Sequence, residues 1–149
     1  KWHNEGRHHP QLKKPTAQIP MNKTTELNAP IRNCLLAALP DEEYRRLLPA
    51  MEKVNLNYGE SIYESGDVIG DVYFPNSGII SLLATVDDGA MLEVGIVGNE
   101  GMIGLAVFLG VETANNRAIV QGKGSAMKMK TAAFLSECER GGAWPKFLT

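Results

Sequence analysis

The sequence predicts a mainly β domain with flanking helices, a β-sandwich or jelly roll. Three observations carry this expectation. From Val54 to about Met129, short apolar runs are broken at regular intervals by Gly, Pro, Asn and Asp, which is the punctuation of a sandwich or roll. Two of these runs flank Asp87-Asp88-Gly89, a hairpin signal, because Asp-Gly tolerates the positive φ that tight hairpin loops require. On either side of the β stretch the apolar residues return to helical spacing.

In chain order, residues 1–30 are polar, contain Pro10, Pro15, Pro20 and Pro30, and show no apolar period, so they are expected to form a flexible leader. Ile31, Cys34, Leu35, Ala38 and Leu39 then recur at helical spacing until Pro40 breaks the run. A second helix is predicted over 41–51. Asp41, Glu42 and Glu43 fall in its first turn, where negative charge suits the exposed amides, and Tyr44, Leu47, Leu48 and Met51 form its buried stripe.

The β region opens with Val54, Leu56 and Tyr58 in alternation with polar residues, followed by Ser61-Ile62-Tyr63 and a turn at Ser65-Gly66-Asp67. Val72-Tyr73-Phe74 is stopped by Pro75-Asn76-Ser77-Gly78. Residues 79–86 and 91–97 form the hairpin, and Ala118-Ile119-Val120 and 125–129 supply two further strands around Gly122-Lys123-Gly124. Thr131 is placed to cap a last helix whose apolar positions are Ala132, Phe134, Leu135 and Cys138. Beyond Gly141-Gly142, residues 143–148 read as the first turns of another helix, with Trp144, Phe147 and Leu148 expected to lie exposed for want of a partner surface. That expectation predicts a truncated chain.

Composition bounds the function. With 149 residues, 44% hydrophobic and 21% charged, the chain suits one soluble domain. Its longest apolar stretch, 102–111, is interrupted by glycines and falls well short of the ~20 residues needed to cross a bilayer. No apolar signal segment is readable at the start, so a cytoplasmic location and no membrane partner are expected. Lys1, Arg7, Lys13 and Lys14 against Glu5 give residues 1–20 a net +3 and leave −5 on the remainder, a poor surface for binding nucleic acid unaided. Cys34 and Cys138 are too few for a disulfide framework or an iron–sulfur cluster. All three histidines, His3, His8 and His9, lie in the leader, so a metal-dependent enzyme of the cupin type lacks its ligands. No serine elbow, phosphate loop or cysteine–histidine pair is present in the folded part, and Glu93 and Glu100 are read as solvated carboxylates. No enzyme is predicted, and neither a metal nor a cofactor is assigned.

Three local words point to a family. Tyr58-Gly59-Glu60-Ser61-Ile62-Tyr63 with Ser65-Gly66-Asp67, then Val72-Tyr73-Phe74 with Ser77-Gly78-Ile79-Ile80, then Gly98-Asn99-Glu100-Gly101-Met102-Ile103-Gly104 follow one another in an order that resembles the cyclic-nucleotide-binding domain of the Crp/Fnr regulators, over roughly 31–148. The resemblance implies a β-roll over 31–143, a double-stranded β-helix of the jelly-roll type, followed by the start of a dimerisation helix over 144–149 and a DNA-binding helix-turn-helix domain missing from this chain. In the family a short turn of free amides, a glutamate and an arginine with a serine or threonine hold the cyclic phosphate and ribose, because amides at a helix start and a guanidinium favour an anion. By that resemblance the candidate ligand-binding residues here are Gly104, Leu105, Ala106, Asn116, Arg117 and Ala118.

Three of these depart from the pattern. Leu105 stands where the family has its glutamate and cannot accept a hydrogen bond from a ribose hydroxyl. Asn116 stands at the arginine, with Arg117 at the serine or threonine; a slip of one residue would bring Arg117 to the phosphate but leave Ala118 without the hydroxyl. A cyclic nucleotide is the ligand class that the resemblance offers, yet these departures predict that cyclic AMP is not the natural effector. Either an apolar pocket near Val94, Ile96, Leu105 and Asn116 takes another small molecule, or the interior is filled by side chains. The function expected is the effector-sensing domain of a Crp/Fnr-like regulator, dimeric at full length and touching DNA only through the missing domain. The alternative is a stand-alone cyclic-nucleotide or small-ligand binding module.

Overall fold

The computed structural model describes residues 32–144 and 146. The leader, its histidines, Ile31, Phe147 and Leu148 lie outside the described residues. The expected architecture is found: two antiparallel sheets close a roll, with helices packed on one side.

The first helix, α1, covers only Cys34–Ala37. Of the expected apolar positions Leu39 is buried and Leu35 half-buried against the core, whereas Cys34 and Ala38 are exposed and Leu36, not among them, is fully buried. The helix is anchored by Asn33, fully buried, whose Oδ1 accepts the amides of Leu35 and Leu36 at 3.0 and 3.2 Å. Helix α2, Asp41–Leu47, is shorter than the predicted 41–51. Pro49 offers no N–H to continue the ladder, and Leu48–Ala50 tightens into a 3-10 turn, so that Met51 already belongs to a strand.

The strands are β1 (Met51–Leu56), β2 (Ser61–Tyr63), β3 (Asp71–Pro75), β4 (Ile79–Thr85), β5 (Met91–Val97), β6 (Arg117–Gly122) and β7 (Gly124–Lys130). They form a three-stranded sheet, β1-β7-β3, and a four-stranded sheet, β2-β6-β4-β5. Tyr58, expected in the first strand, sits in the turn after it and is exposed. The β4–β5 hairpin turns as predicted: Gly89 has φ +83°, and Asp88 Oδ1 accepts the Ala90 amide at 2.9 Å. A bulge at Val94 shifts the register, so that Leu83 faces Glu93 while Leu82 faces Gly95.

Alternation along the strands divides the apolar residues between two cores. Leu56, Ile80, Ile103, Ala118, Val120 and Ala126 fill the roll, joined by Tyr63, Tyr73, Leu82 and Val97. From the other face of the three-stranded sheet, Val72, Phe74 and Met129 meet Leu36, Leu39, Leu47 and the last helix, α3 (Thr131–Glu139), through Phe134 and Cys138. Thr131 does not cap α3 as expected. It is the helix's first residue, and its hydroxyl donates to the Ile69 carbonyl at 2.8 Å, fastening the helix to the β2–β3 connection. Ala132 is exposed.

Trp144 also departs from expectation, because it is buried. Its ring centroid lies 5.5 Å from those of both Phe74 and Phe134, edge-on to the latter, and only 1% of the residue is exposed. The aromatic side chain thus finds its partner surface within the roll's own helical side.

The two thiols should behave differently. Cys34 is exposed, whereas burial, with the charges of Glu137 and Glu139 behind it, pushes the Cys138 thiol up to about 11. Iodoacetamide at pH 8 is expected to add one label per native chain and a second only after denaturation, a difference read directly by mass spectrometry. Rapid double labelling of the native protein would contradict the burial of Cys138. Since the folded state holds this proton more tightly than the unfolded chain does, the associated stability is complete below about pH 9 and is lost as pH rises toward 11.

Candidate functional site

The turn over Leu105–Leu109 is set by backbone constraints at both ends. Gly104 precedes it with φ +95°, and a Cβ there would come within 2.9 Å of Val72 Cγ1 and 3.4 Å of the Asp71 carbonyl, so both conformation and space call for glycine. Ile103 exchanges both backbone hydrogen bonds with Tyr73, at 2.8 and 3.0 Å, docking the turn on β3. Gly110, with φ +88°, closes the far end, where its amide donates to the carbonyls of Ala106 and Val107. Val107 is buried in the helical-side core, Ala106 is half-buried, and Leu105 is partly open to solvent.

Upstream, Glu100 is occupied with its own turn. Its Oε1 accepts the Gly98 amide at 3.0 Å, which lowers the carboxyl's pKa. Glu93 accepts the Ser81 hydroxyl at 3.0 Å. Neither carboxylate is arranged with the other as an acid–base pair.

Strand alternation separates the remaining candidates. Ala118 is fully buried inside the roll. Arg117, its neighbour, turns to the opposite face, where Nε lies 3.0 Å from Glu64 Oε1. The contact is close but poorly aligned, leaving the buried Nε–H without a true hydrogen bond. Asn116 Oδ1 accepts the Tyr63 hydroxyl at 3.3 Å. The six candidates therefore fall into two groups: Gly104, Leu105 and Ala106 on the turn, and Asn116, Arg117 and Ala118 at the start of β6, with Arg117 directed at Glu64.

The expected neighbourhood of Val94, Ile96, Leu105 and Asn116 is not one inward surface. Ile96 pairs with Ser81 and Val97 with Ile80, which places Val97 on the interior and Ile96 outside; Val94 sits on the bulge, and both Val94 and Ile96 are exposed. A cleft of about 110 Å³ lies elsewhere, lined by Ile62, Tyr63, Asp67, Val68, Asp71 and Tyr73 among others, with no basic side chain in its wall. Burial raises the pKa of both tyrosines, and for Tyr73 the charges of Asp71, Glu60 and Glu52 add to it, so both remain hydroxyl donors at neutral pH. Asp67 accepts the Glu64 amide at 2.9 Å, and Asp71 lies 3.4 Å from Lys130 Nζ. Sequence reading missed this cleft. Its lining all falls within residues 62–73, across Ser61-Ile62-Tyr63, Ser65-Gly66-Asp67 and Val72-Tyr73-Phe74, which are readable as strands and a turn but not as the walls of one cleft.

Among the described residues, no group of three or more His, Cys, Asp or Glu side chains could hold a metal ion, and no helix is long and apolar enough to cross a membrane. A two-sheet roll thus carries a glycine-bounded turn docked on β3, and α3 shares that turn's core.

A family model described as the cyclic nucleotide-binding domain matches residues 53–140, and the chain belongs to that family. Curated proteins provide no match. Among solved structures, the fold is similar to the N-terminal domain of a transcriptional regulator from Streptomyces coelicolor A3(2), with 20% identity over 74% of this chain and 81% of that one and a TM-score of 0.63. It is also similar to the sensor domain of the transcriptional regulator DNR from Pseudomonas aeruginosa, with 17% identity, coverage of 70% and 71%, and a TM-score of 0.61. The regulatory subunit of a cAMP-independent protein kinase A from Trypanosoma cruzi, bound to guanosine, is matched at 19% identity over 66% of this chain and 36% of that one, with a TM-score of 0.60.

Proposed function

We propose that this chain is the effector-sensing domain of a bacterial transcription regulator of the Crp/Fnr type and that cyclic AMP is not its natural effector. On this reading the full-length protein is a cytoplasmic homodimer that touches DNA only through a C-terminal helix-turn-helix domain, and the domain itself is not an enzyme. The observation that best supports a sensing role is the shared core: Val107 of the turn packs in one cluster with Phe134 and Cys138 of α3 and with Trp144. A ligand that displaced the turn over residues 104–108 would disturb α3 and the segment after it. Such a ligand shifts the equilibrium only as far as it binds one arrangement better than the other.

The reading against cyclic AMP rests on Leu105 and on Arg117's engagement with Glu64. An unpaired ribose hydroxyl or phosphate oxygen buried in the roll would cost roughly 1–3 kcal/mol. Isothermal titration with cyclic AMP and cyclic GMP is expected to give no saturable heat below about 1 mM. Leu105→Glu with Asn116→Arg restores both ligand types and is expected to tighten cyclic AMP binding roughly 10- to 100-fold, the worth of one charge-assisted hydrogen bond. Micromolar binding by the unaltered chain would overturn this assignment of the effector while leaving a sensing role in place.

A further inference from the structure

We propose that α2 latches the segment following α3, with Glu43 as the bolt and Gly141-Gly142 as the joint. The carboxylate of Glu43 straddles the Ala143 amide, accepting at 3.2 Å through Oε1 and 3.1 Å through Oε2. Ala143 opens the helical turn that contains Trp144, and its carbonyl accepts the Lys146 amide at 3.1 Å. The first amides of a helical turn have no partner within the turn, and here a side chain 100 residues earlier supplies one. A carboxylate at that end is also favoured by the turn's dipole.

The joint is shaped for this contact. Gly141 adopts φ +73°, a conformation in which side chains are strained, and a Cβ on Gly142 would fall 2.5 Å from Glu43 Oε1. One turn along α2, Arg46 Nε meets Glu137 of α3 at 3.0 Å, and Glu137 also holds Arg140 at 3.6 Å. Residues 43 and 46 share one face of α2, so a single short helix grips both sides of the joint. Trp144, seated between Phe74 and Phe134, is the element held in place. Among the described residues none accepts its buried indole N–H. In the released arrangement Ala143 and Trp144 turn about Gly141-Gly142, the Ala143 amide and the indole N–H reach water, and α2 loses its hold. The latch operates whether or not the roll takes a nucleotide.

Amide hydrogen exchange on the full chain tests this, with Glu43→Ala compared against Glu42→Ala, a change at the exposed neighbouring position. Glu43→Ala is expected to lower protection of the Ala143 and Lys146 amides about fivefold, as loss of a typical helix cap implies, while Ile80 and Val120 inside the roll keep theirs. Gly142→Ala alone should have a similar local effect by expelling the carboxylate. Combined with Glu43→Ala it should add nothing, because the group it displaces is gone. Unchanged protection at 143 and 146, an equal loss at Ile80 and Val120, or effects of the two substitutions that multiply would each overturn the latch.

Discussion

Replacing Asn33 with alanine is expected to lower the unfolding free energy by about 4 kcal/mol, a large effect for one small polar residue. Its side chain accepts two amides of α1 and donates to the carbonyls of Pro75 and Gly101, each at 2.9 Å. It therefore fastens three stretches that meet only in the folded chain: the helical entry, the end of β3 and the approach to the glycine-bounded turn. Alanine removes the cap, worth roughly 0.5–2 kcal/mol. It also leaves the Pro75 carbonyl without this donor in a buried site and the Gly101 carbonyl without it in a half-buried one, at roughly 1–3 kcal/mol each. Asn33→Asp is the sharper probe at pH 7, because it keeps the accepting oxygen but turns an anion toward two carbonyls; it should be no more stable than the alanine variant. Urea unfolding followed by circular dichroism reads both. A loss under about 1 kcal/mol for Asn33→Ala would mean that the two carbonyls find water and that the cap alone matters.

Phe74→Ala should cost about 3–5 kcal/mol, the usual penalty for deleting a fully buried aromatic ring. Phe74 is fully buried, with its ring centroid 6.3 Å from Phe134 and 5.5 Å from Trp144. The cavity opens on the side where α3 and the Trp144 turn rest on the sheet, so Trp144 fluorescence, measured in a Trp2→Phe background, should shift to the red well below the unfolding midpoint. Phe74→Leu retains much of the volume and should lose less than half as much. If Phe74→Ala unfolded at the same urea concentration as the parent, the aromatic cluster would not be part of the cooperative core.

How far these features could be read from sequence follows the range of the interactions behind them. The β4–β5 hairpin was legible because everything that forms it, from the Asp-Gly pair to the flanking runs, lies within about twenty residues. The family words were legible for the same reason, and they placed the glycine-bounded turn. Asn33 was not, because its partners stand 42 and 68 positions away and an asparagine beside a polar leader looks like a loop residue. Trp144 was assigned to the surface because the aromatic partners that cover it, Phe74 and Phe134, come from other elements. Arg117 could be numbered against the family pattern, but its partner could not; Glu64 is brought opposite it only when β2 pairs with β6. The α2 boundary differs from the expected one for a local reason: Pro49 has no N–H to carry the helix on to Met51.

The sheet order has a consequence for how the chain is made. Among the described strands β1 and β3 pair only with β7, and β2 only with β6, so of the first five strands only β4 and β5 can find each other before Arg117 is synthesised. A ribosome adding roughly 5–20 residues per second therefore extrudes three strands with unmet backbone groups for several seconds. It then delivers β6 and β7 in succession, each to a different sheet. The nascent chain depends on its last strands as templates, and any pause between Thr85 and Arg117 would lengthen the interval in which β1, β2 and β3 are open to pairing with neighbouring chains.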